Sequence, residues 1–184
     1  MSAARDHFVS VGFADASVSE IAANAGVAEG TVYRFFESKR ALLVAVIASW
    51  FEALIKDVSE NLDGIQDPTE RLRFLVWRHA RIIETDPALC RLFFDQIRSA
   101  EDYVNSPVHA LNRDYADFVV AALKDGVRSG VFQRGLNVAL IRDAIFGALE
   151  HHATGYLYGG AKFNTAKVTQ GLLALVLTGI AHKD

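Results

Sequence analysis

Three prolines are the whole proline content of this 184-residue chain, and each directly follows an Asp or a Ser: Asp67-Pro68, Asp86-Pro87 and Ser106-Pro107. In a helix interior, proline removes a backbone donor and its ring clashes with the preceding turn. In the first turn the amide has no partner to lose, and the fixed φ suits the helix. The three prolines therefore read as helix starts, and the long stretches between them are free to be helical. Apolar residues recur at spacings of three and four rather than two, so no strand pattern stands out. About half of the residues are hydrophobic, enough for a sizeable core. The expectation is an all-α fold of about nine helices.

The same periodicity places the elements. Ala4, Phe8 and Val11 share one face of a first helix that Gly12 can end. Ser17-Val18-Ser19-Glu20 has capping-box spacing: the Ser17 hydroxyl can accept from the Glu20 amide while Glu20 reaches back. A second helix is expected over 18–25, with Ile21, Ala22 and Ala25 facing inward. Gly26-Val27 turns the chain into a third helix from Glu29 to about Phe36. Ser38 can cap a long fourth helix that starts at Lys39 and fades around Asn61 to Gly64. The three proline-marked helices follow, the second reaching about Ser99 and the third Arg128, where Gly130 ends it. Leu72, Leu75, Val76, His79, Ile82 and Ile83 give the inner face of the first of them. Asn137 can cap a helix to about Tyr158, broken by Gly159-Gly160, and a final helix spans Thr165 to Ala181. The only boundary in sight lies near residue 45, inside the fourth helix. It separates a small N-terminal domain, 1–45, from a larger helical domain, 46–184.

Several classes of function find no support. One cysteine, Cys90, permits neither an internal disulfide nor a multi-cysteine zinc site, and reads as a small core hydrophobe. Six histidines are scattered: His7, His79, His109, His151, His152 and His182. His151 and His152 are adjacent on a helix and so point about 100° apart, which is poor geometry for one metal. No catalytic signature, cofactor motif or Glu-x-x-His pair of a metal-carboxylate bundle is found, so no enzyme, metal or cofactor is expected. The most apolar run, Leu172 to Ala181, is shorter than the roughly 20 residues of a membrane helix. No targeting segment is visible, and a cytoplasmic protein with no membrane partner is expected.

The informative stretch is 3–43. Two short helices meet at the tight turn Asn24-Ala25-Gly26-Val27, which is helix-turn-helix geometry. Ala22 allows close helix crossing, Gly26 the bend, and Val27 and Val32 are expected to anchor the second helix. Its outer face holds Glu29, Gly30, Thr31, Tyr33 and Arg34, residues suited to phosphate or to base edges in a major groove. Lys39 adds a cation at a helix start. The run of Phe8, Gly12, Phe13, Ser17, Val18, Ile21, Ala22, Ala25, Gly26, Val27, Gly30, Thr31, Val32, Tyr33, Phe35, Phe36, Ser38, Lys39, Leu42 and Leu43, at this spacing, resembles the DNA-binding domain of TetR-family repressors. The resemblance implies that Thr31, Tyr33 and Lys39 contact the DNA backbone, that Glu29, Gly30, Arg34 and Phe35 read bases, and that Ser17 touches phosphate. Two features depart from the family pattern. The first helix is expected almost at Met1, which leaves either a truncated start or no basic arm for the minor groove. Residues 1–50 also carry a net charge of −1, which weakens the counterion-release part of DNA affinity.

The larger domain gathers aromatic residues at Phe74, Trp77, Phe93, Phe94, Tyr115, Phe118, Phe146 and Tyr156. The plain reading is core. The sharper one is an apolar effector pocket lined by Phe74, Trp77, Phe94, Tyr115, Phe118 and Phe146, with Arg78, Arg81, Arg98, Glu150 and His151 as candidate rim residues. The segment 146–151 resembles one in fatty-acid- and acyl-CoA-responsive members, which implies such a ligand. The family resemblance also implies a homodimer that joins the last two helices of each subunit and reads a palindromic operator in double-stranded DNA. The small and apolar residues Ala144, Gly147, Ala148, His151, Gly155, Gly171, Ala174, Leu175 and Thr178 are the candidates for that interface. The function so implied is a regulator, a repressor by family precedent, that a small-molecule effector releases from DNA. The competing reading is a helical interaction protein with weak or lost DNA binding.

Overall fold

A computed structural model describes residues 1–181. Among them the chain forms nine α-helices and no named strand, the all-α fold that the proline and periodicity arguments require: α1 (Ser2–Asp15), α2 (Val18–Asn24), α3 (Glu29–Phe35), α4 (Lys39–Leu62), α5 (Pro68–Thr85), α6 (Pro87–Leu92), α7 (Pro107–Ser129), α8 (Val138–Gly159) and α9 (Thr165–Ile180). All three prolines occupy first positions, and Asp67 also caps α5 by accepting from the Glu70 amide at 2.9 Å. Asn137 and Asn164 cap α8 and α9 in the same way. The expected histidine His182 lies outside the described residues.

Two elements differ from expectation. Gly12, with φ 81° and ψ 174°, kinks α1 instead of ending it, and one further turn, Phe13–Asp15, follows. That φ is costly for any residue with a Cβ, which is why a glycine stands there. The helix expected to reach Ser99 is α-helical only to Leu92 and continues as a π-helical segment, Phe93–Arg98. A short 3₁₀ turn, Tyr103–Asn105, then leads to α7.

The chain divides into two compact units, and the division falls within α4, at Leu54. The first unit comprises Met1–Leu54 and Ala88–Asn112. Its core is built from Ala4 and Phe8 of α1, Ile21 and Ala22 of α2, and Leu42, Leu43, Val46 and Ile47 of α4, all buried. Val11, on the same face of α1 as Ala4 and Phe8, is exposed; so are Ala25, expected to face inward, and Val27, expected to anchor the second helix and 42% exposed, whereas Val32 is half-buried. For Ala25 and Val27 the reason lies in the turn. Gly26 takes a left-handed φ of 68°, and the Val27 amide bonds back to the Ala22 carbonyl at 3.0 Å, so backbone geometry rather than side-chain burial holds the corner. Arg40, in the first turn of α4, donates to the Gln96 carbonyl and to Asp102, both at 2.7 Å.

The second unit comprises Ile55–Pro87 and the chain from Arg113 onward. Here α9 packs along α5, with α8 against both. Phe132, nearly inaccessible, sits over Gly126 in α7, and the Gln133 amide donates to the Ile180 carbonyl at 2.9 Å. Glu84, in the last turn of α5, ties the helices together. Its carboxylate accepts from the Thr165 hydroxyl at 2.7 Å and from Arg81 at 2.6 Å, while the Tyr156 hydroxyl donates to its carbonyl at 3.2 Å. The Thr165 hydrogen bond, then Arg81, hold the Glu84 carboxyl below its ordinary pKa, outweighing the opposing effect of burial. A carboxyl depressed in the folded state contributes stability that is complete above its unfolded pKa and is lost as pH falls through the folded value. Thermal midpoints measured from pH 7 down to pH 3 should therefore fall more steeply for the natural chain than for Thr165→Val, and parallel curves would show that the Thr165 contact contributes nothing.

Candidate nucleic-acid interface

The helix-turn-helix sits in the first unit, and its second helix is almost entirely laid open. No residue of α3 is buried. Phe35 is 68% and Tyr33 48% exposed; Glu29, Gly30 and Arg34 are exposed, and Thr31 and Val32 are half-buried. The Arg34 guanidinium lies 5.2 Å from the centre of the Phe35 ring, which presents a cation and an aromatic face side by side. Every α3 residue singled out for base or phosphate contact thus falls on one accessible element.

Ser17 and Lys39 are placed differently from that open helix. The Ser17 hydroxyl accepts from the Glu20 amide at 3.5 Å, the long first half of the expected capping box. The second half is taken by His7, a residue outside the capping-box pattern. The Ser17 amide donates to Nε2 of His7 at 3.3 Å, and Glu20 Oε2 lies 3.2 Å from that same nitrogen. Ten residues of separation leave no local signature for such a contact. Lys39 turns back toward α1: its Nζ donates to the Ala14 carbonyl at 3.0 Å and to the Ala16 carbonyl at 2.8 Å, and stands 4.8 Å from the Phe13 ring centre.

The candidate effector residues fall into separate groups. Phe74, Trp77, Arg78 and Arg81 meet around a cleft of about 270 Å³ that Asp57, Asn61 and Thr85 complete. Its cations are engaged with carboxylates: Arg78 Nε is 2.6 Å from Asp57, and Arg81 is 2.6 Å from Glu84. Tyr115 and Phe146 flank the His79 ring, with centroids 5.9 Å and 4.6 Å away. Phe118 is half-buried on α7 and Glu150 on α8. Phe94 and Arg98 belong to the first unit, where the guanidinium lies 5.4 Å from the ring centre.

The nine candidate interface residues share one property. Ala144, Gly147, Ala148, His151, Gly155, Gly171, Ala174, Leu175 and Thr178 are all exposed in the single chain, Leu175 by 73%. Ala148, Gly171 and Leu172 also line an open groove of about 680 Å³ together with His152, Lys162 and Lys167. Among the described residues, no cluster of His, Cys, Asp or Glu could hold a metal ion, and no helix is long and apolar enough to cross a membrane.

The family profile for bacterial regulatory proteins of the tetR family matches residues 1–46, and the profile for the C-terminal region of YsiA-like proteins, a TetR C-terminal type, matches residues 48–179. The fatty acid metabolism regulator protein of Bacillus subtilis is 25% identical over 172 residues, covering 94% of this chain and 89% of that one. The transcriptional repressor KstR2 of Mycolicibacterium smegmatis is 27% identical over 178 residues, covering 96% and 86%. In fold, the chain is similar to the transcriptional regulator FadR of Bacillus subtilis, solved in complex with stearoyl-CoA: TM-score 0.84, 24% identity, 97% of this chain and 96% of that one. With one profile spanning the helix-turn-helix and the other most of the helices that follow, the chain belongs to the TetR family of bacterial regulatory proteins.

Proposed function

We propose that residues 1–45 bind a palindromic operator in double-stranded DNA, that residues 46–184 carry the dimerisation and effector-binding functions, and that the homodimer is a cytoplasmic repressor. The observation that carries the DNA-binding part is α3. It has no buried residue, and it presents Thr31, Tyr33, Arg34 and Phe35 from a helix-turn-helix. An α-helix of this kind fits a major groove, and a two-fold pair of them reads half-sites about one helical turn apart. Repression follows the named activity of the similar KstR2.

The effector is a small, largely apolar molecule, a fatty acid or its acyl-CoA. Its support is the ligand named for the similar FadR structure, together with the aromatic residues of the larger domain. The effector must favour the DNA-incompetent state, and by linkage DNA then weakens effector binding by the same factor.

Fluorescence anisotropy on DNA from upstream of its own gene, with unrelated DNA as control, tests the reading. The expected result is preferential binding that weakens with salt and is reversed by long-chain acyl-CoA. Tyr33→Ala should lower affinity about tenfold, or ~1.4 kcal/mol. The net charge of −1 over residues 1–50 favours a second reading, a helical interaction protein without DNA binding. In that case Tyr33→Ala would change nothing, and random-site selection would yield no sequence.

A further inference from the structure

Lys39 opens α4 at the edge of the candidate DNA interface, where a cation is expected to meet phosphate. Its surroundings are those of an occupied group. An ammonium has three N–H donors and no acceptor. Two of the three go to the carbonyls of Ala14 and Ala16, at 3.0 and 2.8 Å. The Phe13 ring, its centre 4.8 Å from Nζ, covers the ammonium on another side.

The acceptors are informative. Ala14 lies in the last turn of α1 and Ala16 is its C-terminal cap, so both carbonyls are among those a helix end leaves without an intrahelical partner. The partial negative charge at that end favours a cation. The turn they belong to is short, because Gly12 kinks α1 just before Phe13. Ala16 is also the residue before Ser17, whose hydroxyl caps α2 and is the candidate phosphate contact. One side chain therefore ties the end of α1, the start of α2 and the start of α4 together.

We propose that Lys39 is a positioning residue for DNA binding: its ammonium fixes the Phe13–Ser17 corner and thereby Ser17, and it does not itself neutralise a phosphate. The proposal rests on the DNA-binding reading above and assigns this residue a different role within it.

Salt dependence separates the two roles. Each phosphate neutralised contributes about 0.9 to the slope of log affinity against log salt concentration. Binding of the full chain to operator DNA is measured by anisotropy at several salt concentrations, for the natural chain, Lys39→Met and Lys39→Arg. Lys39→Met should lower affinity at least tenfold with the slope unchanged, and should speed amide hydrogen exchange at Ser17 and Val18 in the free protein. A slope reduced by about 0.9 overturns the proposal, as does undiminished affinity. Lys39→Arg keeps the charge but replaces a compact ammonium with a planar fork, and should also lose affinity. Near-natural binding by Lys39→Arg overturns the proposal, and this variant decides the matter if Lys39→Met does not fold. A natural chain that shows no salt-dependent DNA binding overturns the functional reading instead. The clamp then stands or falls on exchange, and unchanged exchange in Lys39→Met overturns it.

Discussion

Gly126→Ala is expected to destabilise the chain by about 3 kcal/mol, toward the upper end of what overpacking a filled core costs. In a chain of this size that lowers the thermal midpoint by roughly 10 °C, read by circular dichroism. A Cβ at this position would lie 2.1, 2.3 and 2.8 Å from Cδ2, Cε2 and Cγ of the Phe132 ring. The ring has nowhere to go. Phe132 is 1% exposed, its amide is held by the Gly126 carbonyl at 2.9 Å, and its neighbour Gln133 is held by the Ile180 carbonyl. Against this stands the better helix propensity of alanine, worth about 1 kcal/mol, which the clash must exceed. Shrinking the ring in Gly126→Ala with Phe132→Leu should recover part of the loss. A single variant as stable as the natural chain would mean that the ring yields freely and that this packing is not what holds α7 to the chain beyond it.

The second large effect concerns assembly. Leu175→Glu should weaken self-association by roughly 100-fold or more, ~2.7 kcal/mol, seen as a shift to monomer in sedimentation, with operator affinity lost in parallel. The proposed dimer face on α8 and α9 is apolar where it has no reason to be in a lone chain. Leu175 is 73% exposed. Gly147 and Gly171 have nothing within 4 Å of where a Cβ would stand. A mid-helix glycine costs about 1 kcal/mol relative to alanine, and neither glycine recovers that cost through close packing within its own chain. A second chain that approaches closely supplies the missing reason. A glutamate placed in that contact would be buried without a partner, which is costly. A Leu175→Glu chain that remains dimeric and binds operator normally would place the dimer contact elsewhere.

Much of the fold could be read from particular residues. The three prolines mark three helix starts because a first-turn amide has no partner to lose, and Gly26 marks the helix-turn-helix corner because its left-handed φ suits few other residues. Spacing places Glu29, Gly30, Tyr33 and Arg34 on the open face of α3, whereas Phe35 comes only with the family resemblance. What spacing could not supply was the partner each polar group would find. Arg40 meets the carbonyl of Gln96 and the carboxylate of Asp102, more than fifty residues away. Arg78 and Arg81, proposed as rim cations, bond to Asp57 and Glu84. His7 takes the backbone contact that the capping-box pattern assigns to Glu20. Periodicity records which face of a helix is apolar. It is silent about long side chains that reach across a fold, and about the extra backbone residue per turn that makes the Phe93–Arg98 segment π-helical. Gly126 was visible only as a glycine inside a helical pattern, without the ring that explains it.

The absence of any buried side chain on α3 has a consequence for how this protein can change. Exposed residues can be exchanged with little effect on folding, so substitutions at Glu29, Gly30, Tyr33, Arg34 and Phe35 face almost no stability threshold. The part of the chain that would decide which promoters are recognised is also the part most free to drift. A lineage, or an engineer, could redirect such a protein to new genes by rewriting a few letters of one short helix while its scaffold and its sensor stay as they are.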